Sequence, residues 1–299
     1  MKQKIMILGA GGRLGAAMTR EYGRDFDVLG LNRTDGDLFQ PEKVCERIRA
    51  DCPDTVINCA AMTNVDVCET ERDAAMLVNA VAPEQMSQTC HEVGARMIHI
   101  GTDYVFSGTK TEPYRESDET KPRSWYGETK LAGEHRVLAA SPRHVVARVS
   151  WVFGPDRDSF IDKALANSLR GEPVKAVADK WSSPTYTLDA VKALGAFLQN
   201  RELPGGLFHV CNQGTCTWKD WAQCALDAAL DLGCDVRTST VEPLKLADIT
   251  AMIAPRPVYS AMDCSKLTQI TGHLMPDWRS AVISYVGLLR EDGRLTVYF

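Results

Sequence analysis

No Cys-x-x-Cys pair occurs among the ten cysteines of this 299-residue chain; the nearest two, Cys211 and Cys216, are too far apart for a zinc knuckle or a thiol redox motif. Several, such as Cys59 and Cys211, lie in apolar runs where a free thiol packs as a small hydrophobe, so a reduced, cytoplasmic chain is expected. No apolar run approaches the ~18 residues of a membrane span. The opening Ile5-Met6-Ile7-Leu8 is too short, and too soon broken by glycines and Arg13, to be the apolar core of a secretory signal. Charge of one sign is not in excess, since 34 Lys+Arg stand against 39 Asp+Glu for a net charge of -5. A broad basic surface for nucleic acid or an anionic membrane is therefore excluded, and any anionic ligand must be caught by a local site. Internal repeats and low-complexity tracts are absent. The histidines, His91, His99, His135, His144, His209 and His273, show no ligand spacing and read as structural or surface residues.

What is present is an ordinary globular composition, 44% apolar and 24% charged, long enough for one or two domains of roughly 100–200 residues without staples. The first half alternates short apolar or β-branched runs near 4–8, 27–32, 55–59, 96–101 and 145–150 with helical-period segments at 13–22, 42–50, 72–94 and 126–140. That alternation predicts an α/β, Rossmann-like doubly wound parallel sheet covered on both faces. Beyond Trp151 the pattern is mixed, with helices expected at 158–170, 187–200, 218–232 and 278–290 and strands near 173–178 and 207–211. The reading divides the chain into a nucleotide-binding domain over 1–150, rejoined by about 184–204, and a smaller interleaved substrate-binding domain over 151–299. Pro255 and Pro257 exclude regular helix around them.

Directly after the first strand come Gly9, Gly12 and Gly15 in Gly-x-x-Gly-x-x-Gly spacing, opening a helix. Glycine permits the tight turn and close backbone approach, while a helix N-terminus presents free N–H groups and a positive dipole end to a pyrophosphate. Gly11, Arg13 and Leu14, within the same turn, complete this candidate coenzyme cradle. The second strand ends Leu31-Asn32-Arg33, without the acid that would hold the ribose of NAD; an arginine suits a 2′-phosphate instead, so NADPH is expected, with NADH as the alternative. Asn32, Arg33 and Asp37, with Ala60 and Ala61 past the third strand, are the further coenzyme candidates.

Tyr126 and Lys130 stand four apart on a predicted helix, hence on one face. A cation near a phenol favours phenolate and brings a group of ordinary pKa near 10 towards the working range for proton transfer. Thr102, at the carboxyl end of the fourth strand, lies where open α/β sheets bind ligands and can donate to a carbonyl.

Together the glycine turn, the strand-end Asn58-Cys59-Ala60-Ala61, the Thr102 turn and the Tyr126/Lys130 pair resemble the extended short-chain dehydrogenase/reductases. Within that group, the runs Gly101–Gly108, Tyr126–Glu134 and Arg148–Phe153, with Pro184-Thr185 and Pro276-Asp277-Trp278, resemble the dTDP-4-dehydrorhamnose reductase family over nearly the whole chain. The resemblance implies NADPH-dependent reduction of the C4 ketone of dTDP-4-dehydro-6-deoxy-L-mannose to dTDP-L-rhamnose, a cell-surface polysaccharide precursor. It implies that Tyr126 protonates the ketone oxygen, Lys130 lowers the tyrosine pKa and holds the nicotinamide ribose, and Thr102 orients the ketone. Asp103 and Trp151 would face the sugar, and Arg256 its diphosphate, although Pro255 stands where the family carries a second arginine. Some relatives hold magnesium at a dimer contact through glutamates where this chain has Ala17 and Leu188, so no metal is expected; a homodimer stays open. Two rivals remain. One is a nucleotide-sugar epimerase or dehydratase, although Tyr104 replaces the glutamate that dehydratases carry after the aspartate. The other is a non-catalytic NADP-binding regulatory subunit resembling the beta subunit of methionine adenosyltransferase.

Overall fold

Lys4–Leu8 forms strand β1, and its side chains alternate between two cores. Ile5 and Ile7 enter one apolar cluster, Met6 and Leu8 another, and all four are fully buried. A strand apolar on both faces must lie inside a sheet covered on both sides, and the computed structural model, which describes residues 2–295, shows that sheet.

It has six parallel strands. In chain order they are β1, β2 (Asp27–Leu31), β3 (Thr55–Asn58), β4 (Arg96–Thr102), β5 (Val145–Val149) and the strand Gly206–His209. Across the sheet the order runs Gly206–His209, β5, β4, β3, β1, β2. The chain steps outward from β1 to β2, then returns past β1 and marches the other way, so the strand order reverses between β1 and β3. The expected α/β doubly wound sheet is what forms. The helix Thr187–Gln199 packs on α1 (Arg13–Tyr22) on one face, and the strand Gly206–His209 adds to β5, so the chain re-enters the sheet after Trp151.

On the opposite face α2 (Pro41–Asp51) packs on the helix Ala82–Glu92. The segment expected to be one helix over 72–94 is three pieces, Arg72–Met76, a π-helical turn Leu77–Val81, and Ala82–Glu92. Pro83 explains the break, since it has no N–H to continue an α-helical ladder. The wide turn places Asn79 so that its side chain accepts from Met62 N (2.8 Å) and donates to Met62 O and Thr129 Oγ1, each at 3.1 Å. It thereby ties a loop beyond β3 to α6 (Trp125–Ala140), the helix that carries Tyr126 and Lys130.

A second core lies between the helices Phe160–Arg170, Trp218–Asp231 and Trp278–Glu291, centred on Trp221, Trp278 and Tyr285. Among the described residues no helix is long and apolar enough to cross a membrane.

Gly15 shows how tightly the first turn is built. A Cβ there would lie 2.2 Å from the Gly9 carbonyl oxygen, which is backbone and cannot swing aside. Gly15→Ala is therefore expected to destabilise the chain by about 1–3 kcal/mol by overpacking. Urea unfolding checks this, and an unchanged midpoint would contradict the packing.

Candidate functional site

The reversal of strand order opens a crevice at the carboxyl ends of β1 and β3, where ligands of open α/β sheets bind. Gly9 adopts φ +75°, and its missing Cβ leaves room for Ala60 N, only 2.8 Å from where a Cβ would stand. Its N–H donates to Leu31 O (2.9 Å), and the Gly12 N–H donates back to Gly9 O (2.8 Å), closing the turn. Helix α1 then starts with no side-chain cap at Gly12 and no acidic residue in its first turn. A free positive helix end of this kind suits an anion.

A cleft of about 1110 Å³ extends from this turn, lined by Gly9, Gly11, Gly12, Arg13 and Leu14, by Asn32, Arg33 and Asp37, and by Ala60 and Ala61. Gly15 lies one turn in and acts through its close packing on Gly9. At the β2 end, the Arg33 side chain is 79% exposed, 3.9 Å from Asp37 and 5.2 Å from the centre of the Phe39 ring. It is therefore a loosely held guanidinium able to turn onto a phosphate. The opposite rim is joined to the glycine turn by Arg13, which donates to the carbonyls of Arg157 (3.1 Å) and Asp158, and by Arg157, which donates to Gly11 O (3.4 Å).

Thr102, Asp103, Tyr126, Lys130 and Trp151 line the same cleft. Ser124 caps α6 by accepting from Gly127 N (3.3 Å), which puts Tyr126 in the helix's first turn. The Tyr126 ring meets that of Tyr104 edge-on, 5.5 Å between centres. Burial pushes the Tyr126 phenol above its usual range, and hydrogen bonding to Thr102 pulls the other way. Trp151 holds φ +42°, an uncommon conformation for a non-glycine residue, and stacks on Trp221 at 5.6 Å. The Asp103 carboxylate accepts from Ser260 Oγ (2.6 Å), Ser182 Oγ (3.1 Å) and Thr102 Oγ1 (3.3 Å).

Two side chains sit differently from the sequence expectation. The Lys130 amine donates to Ile100 O (2.6 Å) and lies 3.2 Å from His99 Nε2, so among the described residues its direct partners are on β4 and do not include the Tyr126 hydroxyl. Burial lowers the Lys130 pKa to about 8, against the opposing pull of Glu134 and Cys59. Arg256 is not among the residues lining the cleft. Both of its terminal nitrogens donate to Asp66, each at 2.7 Å, and its side chain is buried against the start of the helix Val65–Thr70. Tyr104, Ser150, Met62 and Arg157 line the cleft without having been singled out from sequence. For Tyr104 and Ser150 the signal was available, since each neighbours a strand-end residue already identified.

A doubly wound sheet with a glycine-turned cleft at its switch point, and a Tyr/Lys helix across it, defines a Rossmann-type nucleotide-binding protein. The chain belongs to the family described as RmlD substrate binding domain, which matches residues 3–290. It is 37% identical to dTDP-4-dehydrorhamnose reductase of Mycolicibacterium smegmatis over 285 residues, 94% of this chain and 84% of that one. It is 31% identical to the spore coat polysaccharide biosynthesis protein SpsK of Bacillus subtilis, over 95% of this chain and 96% of that one. Among solved structures it resembles dTDP-4-dehydrorhamnose reductase of Bacillus anthracis in complex with NADP, with TM-score 0.87, 28% identity, 95% of this chain and 99% of that chain.

Proposed function

We propose that the chain is an NADPH-dependent oxidoreductase that reduces the C4 ketone of dTDP-4-dehydro-6-deoxy-L-mannose to dTDP-L-rhamnose. The observation that carries this reading is that Thr102, Tyr126 and Lys130 open into the same cleft as the Gly9–Leu14 turn, so a proton donor and a coenzyme cradle share one space. Bound NADPH supplies the hydride. Tyr126 gives its phenolic proton to the ketone oxygen as the C4–H bond forms, and regains a proton from solvent afterwards. A phenol kept protonated by burial is in the required acid form at neutral pH. Thr102 orients the ketone, and Lys130, fixed on Ile100 O, reaches the nicotinamide ribose from α6. Trp151 and Asp103 shape the sugar side. Arg256 would meet a diphosphate only by exchanging Asp66 for it, which makes that ion pair a competitor for substrate.

The residues present suit the coenzyme: the N-terminus of α1 for its pyrophosphate, and Arg33 for a 2′-phosphate. Replacing Arg33 with alanine is expected to raise the Michaelis constant for NADPH about tenfold, ~1.4 kcal/mol, and to leave that for NADH nearly unchanged. Equal effects on both would remove Arg33 from 2′-phosphate recognition. The reductase reading itself is tested by the coenzyme carried through purification. A reductase exchanges NADPH at each turnover, whereas firmly retained NAD would indicate an epimerase-type enzyme and overturn the proposal.

A further inference from the structure

His99 lies in the middle of β4, fully buried, with its ring between Asn58 on β3 and Lys130 on α6. The hydrogen bonds around it have one consistent direction. Asn58 Oδ1 accepts from the Ala60 N–H (3.1 Å), so the Asn58 amide group is oriented and its Nδ2 is left to donate to His99 Nδ1 (3.1 Å). A ring nitrogen that accepts carries no proton, and burial holds the imidazole neutral, so the single ring proton sits on Nε2. That N–H faces Lys130 Nζ at 3.2 Å. An ammonium there would set donor against donor, whereas a neutral amine can accept through its lone pair and still donate to Ile100 O at 2.6 Å. The chain of donors then runs from Ala60 N–H through Asn58, His99 and Lys130 to the Ile100 carbonyl without a conflict.

We propose that His99, oriented by Asn58, is a positioning residue for Lys130: it presents an N–H to the amine, fixes it against Ile100 O and favours its neutral form. The other titratable and charged groups around Lys130 are Glu134 on its own helix, itself paired with Arg148 of β5, and Cys59 beyond β3; Glu134 and Cys59 both favour the ammonium. Burial already brings the two forms of Lys130 close in energy, with a pKa of about 8. One N–H aimed at the nitrogen is therefore enough to bias the choice. The consequence for turnover rests on the reductase reading above, because Lys130 matters there through the ribose and the acid beside it.

The ring nitrogens of His99 provide the direct test. Long-range ¹H–¹⁵N spectra of histidine-labelled wild-type protein, with neither coenzyme nor substrate added, distinguish the two tautomers. A protonated Nε2 is the expected result, and a protonated Nδ1 overturns the proposal, since Nε2 would then be accepting from an ammonium. This outcome is independent of whether the chain reduces a sugar. The second measurement is the pH profile of kcat/KM for His99→Leu. Loss of the N–H should raise the limb assigned to Lys130 by about one pH unit. An unmoved limb would leave His99 a purely structural residue, and a downward shift would mean that it had been accepting from the ammonium; either contradicts the proposal.

Discussion

Tyr126→Phe should lower kcat by about 10²–10⁴-fold while leaving coenzyme affinity and thermal stability near the parent values. The size follows from what the substitution removes: one hydroxyl, positioned beside Thr102 in the cleft and kept protonated by its burial. The ring, and with it the edge-on packing against Tyr104 at 5.5 Å, is retained. Steady-state kinetics together with a coenzyme titration separate the two effects. A variant that turns over at nearly the parent rate would place the proton donor elsewhere, and one that loses coenzyme binding to the same degree would make Tyr126 a binding residue.

The other large effect concerns stability. Arg148 on β5 and Glu134 on α6 form an ion pair with side chains 2% and 1% exposed, the guanidinium donating through Nε at 3.0 Å and a terminal nitrogen at 2.8 Å. Replacing Arg148 with methionine would strand the Glu134 carboxylate in the interior. Removing one partner of a buried pair costs about 3–5 kcal/mol, whereas replacing both with apolar groups of similar volume is far milder. Chemical denaturation should therefore show a large loss for Arg148→Met and substantial recovery in the double variant Arg148→Met/Glu134→Leu. Parent-like stability of the single variant would contradict the burial of this pair. The pair also bears on the cleft, because Glu134 is the group that most favours the charged form of Lys130. Leaving it unpaired should strengthen that influence.

Much of this architecture was legible in the chain because it rests on local rules. The run Lys4–Leu8 followed by Gly9, Gly12 and Gly15 specifies strand, turn and helix within a few residues, and those glycines are required by contacts that a single Cβ would violate. Tyr126 and Lys130 share a face through helical spacing alone, and both line the cleft. What sequence did not reveal is which long-range partner each polar group takes. Arg256 and Asp66 lie 190 residues apart, and nothing near either one marks the other. Lys130 turns to β4 because Ile100 O and His99 lie beneath α6, a matter of how helix packs on sheet and not of spacing within the helix. His99 itself sits among apolar neighbours in a parallel strand, where a polar residue fully buried needs partners; that demand was the available signal. The π-helical turn before Pro83 was hidden by its good helix-forming composition, which describes the residues on either side of the break equally well.

The central claim is that this cleft transfers a hydride to a sugar ketone with Tyr126 as the acid. Incubating the purified chain with NADPH and dTDP-4-dehydro-6-deoxy-L-mannose tests it most directly, by following coenzyme oxidation and identifying the sugar formed. The account predicts one coenzyme oxidised for each ketone converted to a C4 alcohol, with the product dTDP-L-rhamnose. Tight NADPH binding with no oxidation beyond that of a protein-free control would contradict it.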